Sequence, residues 1–94
     1  MLTSEQVIKS FESHKKLREP CLLYWDKIGK EVTELVNNIK TKPKLYQNDY
    51  GYYLGLFGSL KDMGINYDLA SYLLLKAGGN FNGIIETYKM LRGI

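Results

Sequence analysis

Residues 60–80 read LKDMGINYDLASYLLLKAGGN, an apolar run with a glycine break at each end, Met63-Gly64 before it and Gly78-Gly79 after it. Glycine takes up the left-handed backbone that closes a helix at little cost. Asn66 then stands where an N-cap belongs, with Asp68 favourably placed in the following first turn. The pattern therefore reads helix, stop, helix, stop, helix. It predicts helices over Asp49–Met63 and Tyr67–Ala77, and a last one capped by Asn80 or Asn82 that runs to about Arg92. Leu69, Tyr72, Leu73 and Lys76 mark one side of the middle helix, and Ile84, Ile85, Tyr88 and Leu91 the buried side of the last. Helices this short are unstable alone, so they must pack together.

The first half also reads as helical. Thr3 or Ser4 can cap a helix on which Val7, Phe11, His14 and Leu17 share one face. Pro20 is expected to end or kink it, because an interior proline removes a hydrogen bond and crowds the preceding turn. A second helix over about 21–40 carries Leu22, Trp25, Ile28, Val32, Leu35 and Ile39 at helical spacing, widened by Leu23 and Val36. Lys27–Glu31 and Lys30–Glu34 are i, i+4 pairs on its wet side. The segment TKPKLYQND has a proline and no periodicity and reads as a loop. The expected organisation is an all-α bundle of four or five helices in one compact domain. An N-terminal helical pair (1–44) packs on a three-helix unit (45–94).

Ninety-four residues can bury one core. A single cysteine, Cys21, excludes an internal disulfide and suits a reducing compartment. The N-terminus lacks the charge and apolar order of a signal peptide, and no apolar run approaches the roughly 20 residues of a membrane span. A soluble, cytoplasmic protein with no membrane association is expected. The net charge of +3 sits entirely in residues 1–48, a mild bias that permits, but does not require, an acidic partner.

Two residue types are over-used, with nine glycines and eight tyrosines. Gly51, Gly55 and Gly58 share a face of the third helix, where each costs roughly 0.8–1 kcal/mol against alanine. Close packing against another helix of the chain is the expected explanation, with a helix–helix dimer face as the alternative. Tyr50, Tyr52 and Tyr53 cluster on the same helix, where core packing is the first expectation and a binding interface the second.

The pattern LKDMGI…LASYLLLKAGGN…IIETYKML resembles the ubiquitin-associated (UBA) domain family and its UBA-like relatives, over about residues 50–92. Leu60, Met63, Gly64 and Ile65 match the family's first turn, and Ala70 the alanine early in its second helix. Gly79-Asn80 matches the second turn, and Ile84, Ile85 and Leu91 the core of its third helix. Three features depart from the family: Ile65 replaces the turn aromatic, three glycines precede it, and Tyr72–Leu75 are apolar or aromatic throughout. The resemblance implies a three-helix bundle and an apolar binding patch on Met63, Gly64, Ile65, Met90 and Leu91, for ubiquitin or another protein. UBA-like modules also occur in translation factors such as elongation factor Ts, so the fold alone does not name the partner.

Catalysis finds little support. His14 is the only histidine, and it could meet Cys21 on one face only if a helix ran through Pro20. One Cys and one His fall short of a structural zinc site. KAGGNFNG lacks the Lys-Ser/Thr ending of a phosphate loop. No cofactor and no enzymatic activity are expected. Read as helix-turn-helix, LASYLLLKAGGNFNGIIETYKMLR has Leu74 at the turn-glycine position and no cation at the start of its second helix. Sequence-independent nucleic-acid contact would fall to Lys9, Lys15, Lys16, Arg18, Lys27, Lys30, Lys40, Lys42 and Lys44. The leading expectation is protein interaction; nucleic-acid binding by a small regulatory protein is the alternative, and a self-complementary face would give a homodimer.

Overall fold

In the computed structural model, which describes residues 2–43, 46 and 50–94, local capping chemistry sets the first helix. Helix α1 (Ser4–Ser13) opens on a capping box: the Gln6 amide donates to Thr3 Oγ1 (3.2 Å) and the Thr3 amide to Gln6 Oε1 (2.8 Å). It stops at His14, whose backbone is extended (φ −85°, ψ 112°). Two side chains contest one carbonyl there. Ser13 Oγ donates to Ser10 O (2.7 Å), and His14 Nδ1 lies 2.7 Å from the same oxygen. Such side-chain bonds to the backbone compete with helix continuation.

Helix α2 (Lys15–Lys40) follows without a loop and runs straight through Pro20. The break expected at Pro20 is therefore six residues earlier, at His14. Proline forfeits only the bond that would have reached the carbonyl of Lys16, an exposed residue, and the remaining twenty residues carry the helix on. Cys21, Gly29, Val32, Val36 and Ile39 are its buried line. Leu22 and Leu23, expected to widen the apolar stripe, are 52% and 56% exposed. Each residue turns the helix by about 100°, so once Cys21 faces inward its two followers cannot. Gly29 is explained by Trp25, whose ring would lie 2.9 Å from a Cβ at that position. The Lys27–Glu31 and Lys30–Glu34 pairs do not close into ion pairs, whereas Lys9 and Glu5 approach to 3.5 Å. Exposed pairs of this kind contribute little either way.

Helix α3 (Tyr50–Asp62), α4 (Tyr67–Lys76) and α5 (Phe81–Arg92) fall where the glycine and asparagine punctuation puts them. Gly64 (φ +85°) closes α3 with paired bonds, Ile65 N–H to Leu60 O (3.0 Å) and Gly64 N–H to Lys61 O (2.8 Å). Gly78 (φ +86°) closes α4 in the same way. Asn66 caps α4 by accepting from Leu69 N–H (2.8 Å). Asn80, rather than Asn82, caps α5 by accepting from Gly83 N–H (2.9 Å). The start expected at Asp49, the boundary between residues 44 and 45, and Lys44 lie outside the described residues.

Seven consecutive residues of α4, Leu69 to Leu75, are buried. The expected one-sided stripe is thus too narrow. An all-apolar helix has to be covered all round, and α1, α2, α3 and α5 each pack against α4. Val32 and Val36 of α2, Phe57 and Leu60 of α3 and Ile84 of α5 join Leu73 and Leu74 in one continuous core. The described residues are all-α, and the N-terminal pair is part of the same core as the C-terminal three helices.

The glycine face of α3 corrects another expectation. Nothing lies within 4 Å of a Cβ built on Gly55 or Gly58, and both residues are exposed. Among the described residues no helix packs against them, because Tyr53, Leu56, Phe57 and Leu60 point α3 the other way. Alanine at Gly55 should therefore raise stability by about 0.8–1 kcal/mol, the helix-propensity difference. Alanine at Gly64, forced into the left-handed region, should lower it by about 1–2 kcal/mol. Urea unfolding midpoints of the two variants, moving in opposite directions from the parent, check both.

Candidate functional site

The residues singled out by sequence lie on two segments, the turn after α3 and the end of α5. Met63 follows the last residue of α3 and is 45% exposed; Met90, on α5, is 49% exposed. Gly64 is exposed, and its left-handed backbone lets the chain reverse within two residues. Ile65 is different, being only 2% exposed and part of the core. Its side chain anchors the turn while its amide completes the glycine cap. Leu91 is half-buried, packed at the edge of the core. Of the five residues, two methionines and a glycine are exposed, Leu91 is half-buried, and Ile65 holds the turn in place.

The two segments meet. Ile65 of the turn and Arg92 at the end of α5 line one shallow depression of about 190 Å³, together with Lys61, Asn66 and Tyr67. Lys61 Nζ donates to the Tyr67 hydroxyl (3.2 Å) and sits 5.2 Å from the centre of that ring. On the neighbouring turn of α5, the Tyr88 hydroxyl donates to Asp68 Oδ1 and ties the end of α5 to the start of α4. That bond to Asp68, with burial and the Asp68 charge, pushes the Tyr88 hydroxyl pKa up, against a smaller opposing effect of Arg92. The sequence pattern could locate the turn, but nothing in it announced Lys61, Tyr67 and Arg92 beside Ile65.

The residues weighed for chemistry are kept apart. His14 is exposed at the elbow between α1 and α2, where it contributes with Leu2, Val7, Ser10, Phe11 and Leu17 to a shallow groove of about 250 Å³. The face expected to carry Val7, Phe11, His14 and Leu17 is thus brought together, but across the elbow rather than along one helix. Cys21 is 1% exposed in the core. Burial raises its thiol pKa; a hydrogen bond with Tyr72 and the nearby Lys76 charge oppose the rise. A thiol held in that state is a poor nucleophile. Its neighbour Tyr72 donates to Glu12 Oε1 (2.6 Å), and its own pKa is driven far above the ordinary tyrosine range by burial and by these two partners. Among the described residues, no three His, Cys, Asp or Glu side chains converge as metal ligands would. No helix among them is long and apolar enough to cross a membrane. The cations from Lys9 to Lys42 are exposed but interleaved with acids.

No known protein family, curated protein or solved structure matches the chain.

Two outcomes follow from this geometry. Met63→Ser and Met90→Ser should each change stability by no more than about 0.5 kcal/mol, whereas Ile65→Ala should cost about 2–5 kcal/mol. Thermal or urea melts separate contact from anchor in this way. The second concerns alkaline pH, because the pKa values of Tyr53, Tyr72 and Tyr88 are all raised. Below the ordinary value near 10 both folded and unfolded chains keep these protons, and the stabilisation is fully present. As pH rises past that value the unfolded chain ionises first, so stability falls. Absorbance titration should show tyrosines ionising late and together with loss of helix; complete ionisation by about pH 11 with the helices intact would contradict this.

Proposed function

We propose that the chain is a non-enzymatic protein-interaction module. Its contact surface is the Met-Gly turn and the end of α5, and its partner is ubiquitin or a ubiquitin-like protein. The observation that carries this reading is the exposure of Met63 and Met90 on two segments that meet at Ile65 and Arg92. An exposed methionine offers a flexible, polarisable apolar surface. Gly64 lets a partner approach the backbone, and the glycine cap with its buried Ile65 keeps the turn preorganised. The resemblance of Leu60, Met63, Gly64, Ala70 and Gly79-Asn80 to the UBA pattern supports ubiquitin as the first partner to test. The separation of His14 from the buried Cys21 thiol supports the non-enzymatic part.

The test is an amide-shift titration of labelled protein with ubiquitin. Shifts should cluster at Met63–Ile65 and Met90–Leu91, and Met63→Asp should weaken binding by roughly tenfold or more with the fold unchanged. Silence on ubiquitin addition overturns the partner. Shifts at Lys9, Lys15, Lys16 and Arg18 with a short DNA duplex, lost at high salt, would replace the reading with nucleic-acid binding.

A second reading has its own observation. Gly55 and Gly58 are open, with Tyr50 and Leu54 exposed on the same helix, which supports a homodimer contact through α3. Sedimentation showing a monomer at all concentrations would remove it.

A further inference from the structure

α1 is attached to the body in an unusual way. None of its residues is buried; Val7, Ile8 and Phe11 are packed only partly against the core. It joins α2 through one residue, His14, in extended backbone. Its polar tie to the body is the hydrogen bond from Tyr72 to Glu12 (2.6 Å), alongside the tilted contact of the Phe11 and Tyr72 rings at 6.0 Å. Cys21 is buried close by, near enough to Tyr72 and Glu12 for both to influence its thiol. The seat of α1 therefore includes Tyr72 of α4, with Cys21 of α2 buried close by.

We propose that α1 is a strap that swings about His14 and uncovers an apolar seat on α2 and α4 while the rest of the bundle stays folded. The balance of interactions favours this. α4 is held on its other sides by α2, α3 and α5, which supply every fully buried residue of the core, while α1 adds only partly buried contacts. An element with few buried apolar contacts opens at lower cost than the core it covers. The seat suits an amphipathic helix with apolar residues spaced like Val7, Ile8 and Phe11 and a carboxylate following the aromatic, since that is what α1 itself supplies. This surface is distinct from the Met-Gly turn, so the inference stands whether or not that turn binds a partner.

Cys21, the only thiol in the chain, is a built-in reporter of opening. Its alkylation would be measured in the unsubstituted protein across low urea concentrations, beside hydrogen exchange of the amides. The expected result is Cys21 labelling and α1 amide exchange that share one shallow urea dependence, with α4 amides following the steeper dependence of global unfolding. Glu12→Ala should speed labelling by about tenfold or more, because it removes a hydrogen bond to a charged acceptor. Glu12→Gln, which keeps an acceptor oxygen, should fall between. Cys21 labelling and α1 exchange that both track global unfolding would overturn the proposal, as would Glu12 variants that change labelling only in step with overall stability.

Discussion

Everything in this structure follows from one helix with no wet side. From Leu69 to Leu75 the backbone of α4 turns almost twice, and every residue it carries is buried. Such a helix has no orientation of its own; its position is set by what surrounds it. Its neighbours in sequence, α3 and α5, can wrap two sides of it, and the remaining side needs α2, whose Val32, Val36 and Ile39 join the same core. The N-terminal pair is therefore part of the core architecture rather than an appendage. The family resemblance covers only the C-terminal three helices, and the run Tyr72–Leu75, noted as a departure from that family, is the reason a further helix is required.

Polar tethers fix the register of the covering helices. The Tyr53 hydroxyl accepts from Asn80 N–H (2.8 Å), joining α3 to the cap of α5. Tyr88 reaches Asp68, joining α5 to α4, and Tyr72 reaches Glu12, joining α4 to α1. A tyrosine can bury its ring and still satisfy its hydroxyl, and Tyr53, Tyr72 and Tyr88 do so between different helices. Lys76 adds a further contact, its ammonium 5.1 Å from the Trp25 ring centre and 5.9 Å from that of Tyr72. These contacts set which faces meet, while the apolar burial supplies most of the stabilisation.

Features governed by local chemistry were legible in the sequence. Gly64, Gly78, Asn66 and Asn80 each act within five residues, so the end of α3, the bounds of α4 and, to within two residues, the start of α5 could be read directly. Features decided by a competition were not. Pro20 alone predicts a break, yet Ser10, Ser13 and His14 make it earlier, and a helix begun at Lys15 absorbs the proline. Leu22 and Leu23 look like core until Cys21 claims the inward position. The three glycines of α3 suggest close packing because their cost is local and visible, whereas the direction α3 faces depends on Phe57 and Leu60 finding α4. For the candidate site, the methionines could be picked out by pattern, but the burial of Ile65 and the arrival of Arg92 beside it are tertiary outcomes.

The central position of α4 also bears on how the chain can be made. Synthesis proceeds from the N-terminus, and α1 and α2 emerge well before the segment LASYLLL. That segment can be covered at once by α1, α2 and α3, which precede it, but its remaining side waits for α5. During that interval a β-branch-poor, strongly apolar stretch is held open to solvent and to other chains, the condition under which partly folded species aggregate. The short tight turns at Gly64 and Gly78 keep the interval brief, because no long loop has to close before α3, α4 and α5 can meet.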